Sequence, residues 1–222
     1  MRLLGFVILM FLSFHQAQCQ DWPELSRYIM ENKELGNPDT DEYRVVFMGN
    51  SITEGWKNAD PNFFKRQGFI NRGISSQTTP QMLLRFRQDV IDLQPRVVIL
   101  LAGTNDIAGN TGPMTLDQIR DNIISMVELS KANNIEVVLC SVLPAYDYNW
   151  RPGLQPNIKI PKLNEMLREY SKVAGIYYLD YFSEMADERN GLPKELAADG
   201  VHPTRMGYDV MKRMLLDTLE GI

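Results

Sequence analysis

From Tyr43 onward, short runs rich in Val, Ile and Leu alternate with longer stretches in which apolar residues recur every three or four positions. Short apolar runs of this kind read as strands buried on both faces, and the stretches between them as amphipathic helices. The alternation predicts an α/β domain with a parallel sheet covered by helices on both sides. The predicted strands are Arg44–Met48, Phe69–Arg72, Val97–Ala102, Glu136–Ser141 and Ile176–Leu179. Leu116, Ile119, Ile123, Met126 and Val127 fall on one helical face, and Thr115 with Gln118 supplies the Thr-x-x-Gln capping box that opens that helix. Leu163, Met166, Leu167, Tyr170 and Val173 form a second stripe, and Met211, Met214, Leu215 and Leu219 a third. Thr79 followed by Pro80 marks the cap and first turn of an earlier helix. These stripes are core-facing. The longest irregular stretch, Pro144 to Pro156, contains Tyr146, Tyr148, Trp150 and Arg151. Ligands of open parallel sheets bind outside the carboxyl ends of the strands, so chemistry is expected in the loops that follow them.

The first residues do not fit this alternation. Met1 and Arg2 precede the apolar run Leu3 to Leu12, and a more polar stretch ends in Ala17-Gln18-Cys19. That is the layout of a signal peptide, too short to span a bilayer, with cleavage expected after Cys19. The domains are then a leader at 1–19 and a single domain at 20–222, and the protein is exported to the periplasm or the medium. A lipoprotein with Cys19 lipidated and retained is the rival reading; Gln16 and Gln18 fit poorly before such a cysteine.

Removing the leader changes the inventory. It takes away Arg2, His15 and Cys19, so a formal charge of −5 becomes −6 and one histidine and one cysteine remain. Cys140 lies in an apolar run, which makes it a buried core residue, and it has no intramolecular disulfide partner. A mildly acidic chain without basic clusters does not suit nucleic acid or anionic membrane as a partner; a small-molecule or glycan substrate without strong charge fits better.

Chemistry is concentrated in four segments. Gly49-Asn50-Ser51-Ile52-Thr53 follows the first strand, where a serine can present its hydroxyl at the sheet edge. Taken alone, Ser51 could equally cap a helix. A nucleophilic serine needs a base, and His202 is the only imidazole left in the mature chain. Asp199, three residues before His202 in Asp-Gly-Val-His-Pro, can fold back to orient the ring. Gly103-Thr104-Asn105-Asp106 follows the third strand and offers the Asn105 amide to an oxyanion. Asn71-Arg72-Gly73-Ile74 follows the second, where Gly73 would let a backbone NH approach a substrate.

Together the four segments resemble the SGNH or GDSL family of serine esterases and acylhydrolases, whose blocks supply Ser, Gly, Asn and His in that order. The blocks here centre on Ser51, Gly73, Asn105 and His202 and extend over the mature domain. The resemblance implies a flavodoxin-like three-layer α/β/α sandwich with a five-stranded parallel sheet. It also implies a triad of Ser51, Asp199 and His202, and an oxyanion hole made by Ser51 NH, Gly73 NH and the Asn105 side chain. One departure is Asn50, where the family usually has Asp before the nucleophile; an Asn can still position neighbours by hydrogen bonding.

No cofactor or metal is expected. The family includes carbohydrate deacetylases, arylesterases, thioesterases and lysophospholipases. Aromatic residues in polar loops suit a sugar face better than a fatty chain, so removal of acetyl groups from carbohydrate is the expected reaction. Asn50, Trp56, Tyr146, Trp150 and Arg151 are the expected substrate contacts. A non-catalytic carbohydrate-binding module on the same fold is the reading from another functional class.

Overall fold

Five parallel strands form the centre of the molecule: β1 (Val45–Gly49), β2 (Ile70–Gly73), β3 (Val97–Leu101), β4 (Glu136–Cys140) and β5 (Tyr177–Leu179). Their spatial order is β2-β1-β3-β4-β5, with Val46 opposite Ile70 and Val98 at the start of the sheet and Cys140 opposite Leu179 at its end. The structure, a computed structural model, describes residues 21–39 and 42–222; the expected leader at 1–19 lies outside them. Each predicted strand is present, its ends displaced by at most one residue.

Side chains on a strand alternate between faces, and here both faces are dry. Val46, Met48, Val98, Leu100, Val137 and Leu139 pack into one core, and Val45, Phe47, Val97, Ile99, Val138 and Cys140 into another. The helices are α1 (Ile29–Leu35), α2 (Ser51–Ala59), α3 (Pro61–Gln67), α4 (Thr79–Asp89), α5 (Thr104–Ile107), α6 (Leu116–Ala132), α7 (Pro156–Ala174), α8 (Tyr181–Met185) and α9 (Arg205–Leu219). The first core is closed by α4, α6 and α7 through Phe86, Ile123 and Leu163, the second by α2, α3, α8 and α9 through Trp56, Phe64, Tyr181 and Met211. The result is the expected three-layer sandwich.

Three local departures from the pattern have physical causes. In α7, Val173 is 88% exposed, because the buried face runs through Ile160, Leu163, Asn164, Leu167 and Ser171. Polar Asn164 occupies that stripe because its amide exchanges two hydrogen bonds with the backbone of Val142, at 2.8 and 2.9 Å. The helix α4 begins one residue earlier than expected: Thr78 is its cap, with its NH donated to Gln81 Oε1, and Pro80 stands in its first turn. Pro161 sits inside α7 without ending it. Its missing NH leaves the Asn157 carbonyl without a helical partner, and Asn190 Nδ2 donates there at 3.1 Å.

The order β2-β1-β3-β4-β5 reverses direction between β1 and β3. In open parallel sheets the loops diverge at such a point and leave a crevice beyond the carboxyl ends of the strands. The segments after β1 and β3 are Asn50-Ser51 and Gly103-Thr104-Asn105.

Candidate active site

Ser51 is the first residue of α2, and the helix is capped by its neighbour: Asn50 Oδ1 accepts from Ile52 NH at 3.0 Å. With Asn50 as cap, the Ser51 hydroxyl is free for another partner. That partner is His202, whose Nε2 lies 2.9 Å from Ser51 Oγ. The far side of the ring is held by Asp199, with Nδ1 and Asp199 Oδ2 2.7 Å apart. The other carboxylate oxygen accepts from the backbone NH of Val201 and His202 at 2.9 and 2.8 Å, a turn made through Gly200 at φ 80°. Partial burial raises the Asp199 pKa, but the hydrogen bonds from the His202 ring and the two NH groups outweigh it and hold the carboxyl below its ordinary value. Asp199 therefore stays ionised, donates no proton, and fixes the tautomer in which Nε2 can accept from Ser51.

The loop after β2 is fastened to α2. Asn71 Nδ2 donates to the Thr53 carbonyl at 2.6 Å, and Glu54 accepts from both the NH and the hydroxyl of Ser75. Ser76 then takes φ 65°, a left-handed conformation that is costly for a residue with a side chain. Among the described residues, neither the Ser51 NH nor the Ser76 NH donates to a protein acceptor. Asn105 donates one amide hydrogen to the Gln77 carbonyl at 2.9 Å, which leaves its second for another acceptor. Ser51, Ser76, Asn105 and His202 line one cavity of about 630 Å³.

Gly73 does not take part as expected. Its NH is bound to Asn71 Oδ1 at 3.0 Å, and its α-carbon is pressed against α2 so closely that an added Cβ would overlap the backbone of Glu54 and Asn50. Glycine is required there for close packing, and Ser76 supplies the unpartnered NH. The run Ser75-Ser76-Gln77 carried no signal for this, since a positive φ at serine is imposed by the fastening of the loop.

Four of the five expected substrate contacts also lie elsewhere. Asn50 is 2% exposed and occupied as a helix cap. Trp56 is buried among Phe47, Phe63 and Tyr208, stacked on the last two; burying such a ring contributes about 2 kcal/mol or more, which a polar loop could not match. Arg151 donates to the carbonyls of Ala108 and Gly109, at 2.7 and 2.5 Å, and holds that loop. Tyr146 lies under the Arg189 guanidinium, 4.9 Å from ring centroid to carbon, in a separate hollow that Asp199 also lines. Trp150 does line the cavity, with its ring centroid 6.4 Å from that of His202. Tyr148, expected in the same exposed loop, is buried and supports Trp150 by stacking at 5.1 Å.

Beneath the site lies a buried polar network. Arg85 donates to Asp89 at 3.0 Å, to Gln77 Oε1 at 2.5 Å and to the Gly49 carbonyl at 3.1 Å, and so ties α4 to the turn before Ser51. Asp106, next to Asn105, accepts from the NH and hydroxyl of Thr79 through Oδ1, at 2.9 and 2.6 Å, while its buried Oδ2 has no partner among the described residues. Burial pushes its pKa up to about 6, against the lowering effect of the Thr79 bonds. A carboxyl whose folded pKa exceeds its unfolded value binds more protons when folded, so its contribution to stability falls as pH rises from about 4 to about 6 and is then constant. The shift corresponds to about 3 kcal/mol. Asp106→Asn keeps an oxygen for Thr79 and removes the titration. Urea unfolding of wild type and variant at pH 4 and pH 7 is expected to show wild type losing stability relative to the variant at the higher pH. A constant difference between them would exclude Asp106 as the titrating group.

Among the described residues no three His, Cys, Asp or Glu side chains gather into a group able to hold a metal ion, and no helix is long and apolar enough to cross a membrane. Cys140 is buried, and burial pushes its thiol pKa up.

A hydroxyl, an imidazole and a carboxylate in hydrogen-bonded series, beside unpartnered donors at the crevice of a parallel sheet, is an arrangement suited to acyl transfer through serine. Residues 47–210 match the GDSL-like Lipase/Acylhydrolase family, and the chain belongs to that family. The chain is similar to a crystal structure from Bacteroides fragilis described as an acylhydrolase, at 48% identity and a TM-score of 0.89 over 91% of this chain and 98% of that one. It is similar also to a GDSL-like lipase from Bacteroides thetaiotaomicron, at 47% identity and a TM-score of 0.88 over 90% and 98% of the two chains. An acetylxylan esterase from Xylanibacter ruminicola is 23% identical over 95% of this chain and 49% of its own length. The chain spans about half or less of the length of the curated relatives it matches.

Proposed function

We propose that the protein removes short acyl groups, acetyl foremost, from carbohydrate, through an acyl-enzyme on Ser51. The observation that carries this reading is the lining of the cavity above Ser51. Among the described residues, its lining apart from two tryptophans consists of polar side chains, with no aliphatic residue. A long acyl chain needs an apolar channel to leave water, whereas an acetyl group needs almost none and a sugar needs hydrogen-bond partners and an aromatic face. The similarity to an acetylxylan esterase supports the same substrate class.

In this reading Ser51 Oγ attacks the ester carbonyl as His202 Nε2 takes its proton, and the imidazolium is stabilised by Asp199. The tetrahedral oxyanion accepts from Ser51 NH, from Ser76 NH in the place expected of Gly73, and from Asn105 Nδ2. His202 then protonates the leaving alcohol oxygen. Water, deprotonated by His202, attacks the acyl-enzyme and releases the carboxylate. The apolar run at Leu3 to Leu12 supports export, which would bring the enzyme to extracellular glycans.

A series of 4-nitrophenyl esters from acetate to decanoate tests the acyl preference. kcat/KM is expected to fall at least tenfold between acetate and octanoate; a rise with chain length would reassign the protein to the lipase or lysophospholipase side of its family.

A further inference from the structure

The segment before β1 is outside the residues matched to the family, yet it reaches the cavity. Trp22 and Glu24 both line it together with Ser51 and His202. Nothing in the local sequence of residues 21–28 makes them regular structure; they are held by side chains of the loop after β2 and of α4. The amides of Gln77, Gln81 and Gln88 donate in turn to the carbonyls of Pro23, Trp22 and Leu25, at 2.8, 2.7 and 2.6 Å. Asp21 closes the turn by accepting from Leu25 NH and Ser26 NH at 2.8 and 2.9 Å, and Glu24 adopts φ 55°. The Tyr28 ring is buried and its hydroxyl donates to the Gly73 carbonyl.

This fastening leaves Trp22 with 41% of its surface open. A large indole whose backbone is fixed while its ring is left wet loses apolar burial that the core could have provided. Trp150, 48% exposed and stacked on Tyr148, is the second ring of this kind on the cavity. Two open aromatic rings and a wall of amides and hydroxyls match a ring molecule with an apolar C–H face and a hydroxyl edge. Among the described residues that line the cavity, Glu24 carries a formal charge and no Arg or Lys contributes. A phosphorylated or uronic alcohol would meet a carboxylate there with nothing to neutralise its own charge.

We propose that residues 21–28 are the specificity element of the site. Trp22, with Trp150, would hold a neutral saccharide ring bearing the scissile ester, and Glu24 would accept hydrogen bonds from its hydroxyls. The inference rests on the deacetylation reading above and assigns its alcohol side. Gln77 links the two functions, because its side chain holds Pro23 while its carbonyl holds the Asn105 amide.

The test compares wild type, Trp22→Ala and Trp22→Phe on partially acetylated neutral xylo-oligosaccharides, read as acetate release, and on 4-nitrophenyl acetate. Trp22 is half open, so its replacement leaves the core intact. The ratio of kcat/KM for the oligosaccharide to that for the aryl ester is expected to fall about tenfold in Trp22→Ala, as a rise in KM, and to return in Trp22→Phe. An unchanged ratio, or a loss in Trp22→Phe as large as in Trp22→Ala, would overturn the assignment of the strap while the wild type still deacetylates the saccharide. Wild type that cleaves the aryl ester but releases no acetate from any saccharide would overturn the deacetylation reading itself, and the strap assignment with it.

Discussion

Replacing Ser51 with alanine is expected to lower turnover of 4-nitrophenyl acetate by roughly 10⁴-fold or more, with the unfolding transition unmoved. The size follows from the proposed role: without the hydroxyl no acyl-enzyme would form, and what would remain is the contribution of oxyanion donors and binding. Ser51 is partly exposed, and Asn50 caps the helix, so the backbone loses nothing. Asn105→Ala should show a graded loss of roughly 100- to 1,000-fold in kcat, the usual cost of one oxyanion donor. The two variants discriminate between a catalytic site and a binding module of the same fold. Covalent labelling by a fluorophosphonate should occur in wild type, persist more slowly in Asn105→Ala and vanish in Ser51→Ala. A folded wild type that is neither labelled nor active would make the protein a binding module.

The largest effect on stability is expected at the buried pair under the site. Arg85 and Asp89 are both fully buried, 3.0 Å apart, and Asn32 Nδ2 donates to the second carboxylate oxygen of Asp89 at 2.8 Å. Burial lowers the Arg85 pKa, opposed by Asp89; the guanidinium stays charged and relies on that carboxylate to offset the loss of water. Asp89→Leu removes that partner and should cost about 3–5 kcal/mol, seen as a fall in Tm of roughly 10 °C for a domain of this size. Activity should fall with it, since Arg85 also holds the Gly49 carbonyl ahead of Ser51. Adding Arg85→Met to Asp89→Leu should recover much of the lost stability, because an apolar pair of similar volume carries no desolvation cost. If the double variant is instead less stable by the sum of the two single losses, the pair contributes through packing and its hydrogen bonds, and the unpaired charge is not the cause.

The pattern of the chain led to five strands and three long helices because each is a local repetition: period two or an apolar run on a strand, three to four on a helix, with a capping box at Thr115 and Gln118. The short helices α3, α5 and α8 were not legible. With only four to seven residues each, they have too few turns for a period to emerge.

The same division runs through the site. The pairing of Ser51 with His202 could be reached from the sequence because the choice was narrow: one imidazole outside the expected leader, with Asp199 three residues before it. Which backbone NH faces the cavity could not. Gly73 looked open because it has no side chain, and in three dimensions that absence serves contact with α2, while Ser76 takes φ 65° in the loop whose Ser75 is bonded to Glu54. The aromatic residues sorted for the same reason. Trp56 and Tyr148 are buried, Trp150 and the unsuspected Trp22 border the cavity, and no local composition separates the two pairs. The sequence by itself determined the order of layers and the chemical groups available, since these follow from local period and residue type. Only the tertiary structure decided which groups converge and what wall they face, because that depends on hydrogen bonds and packing between segments as far apart as Pro23 and Gln77.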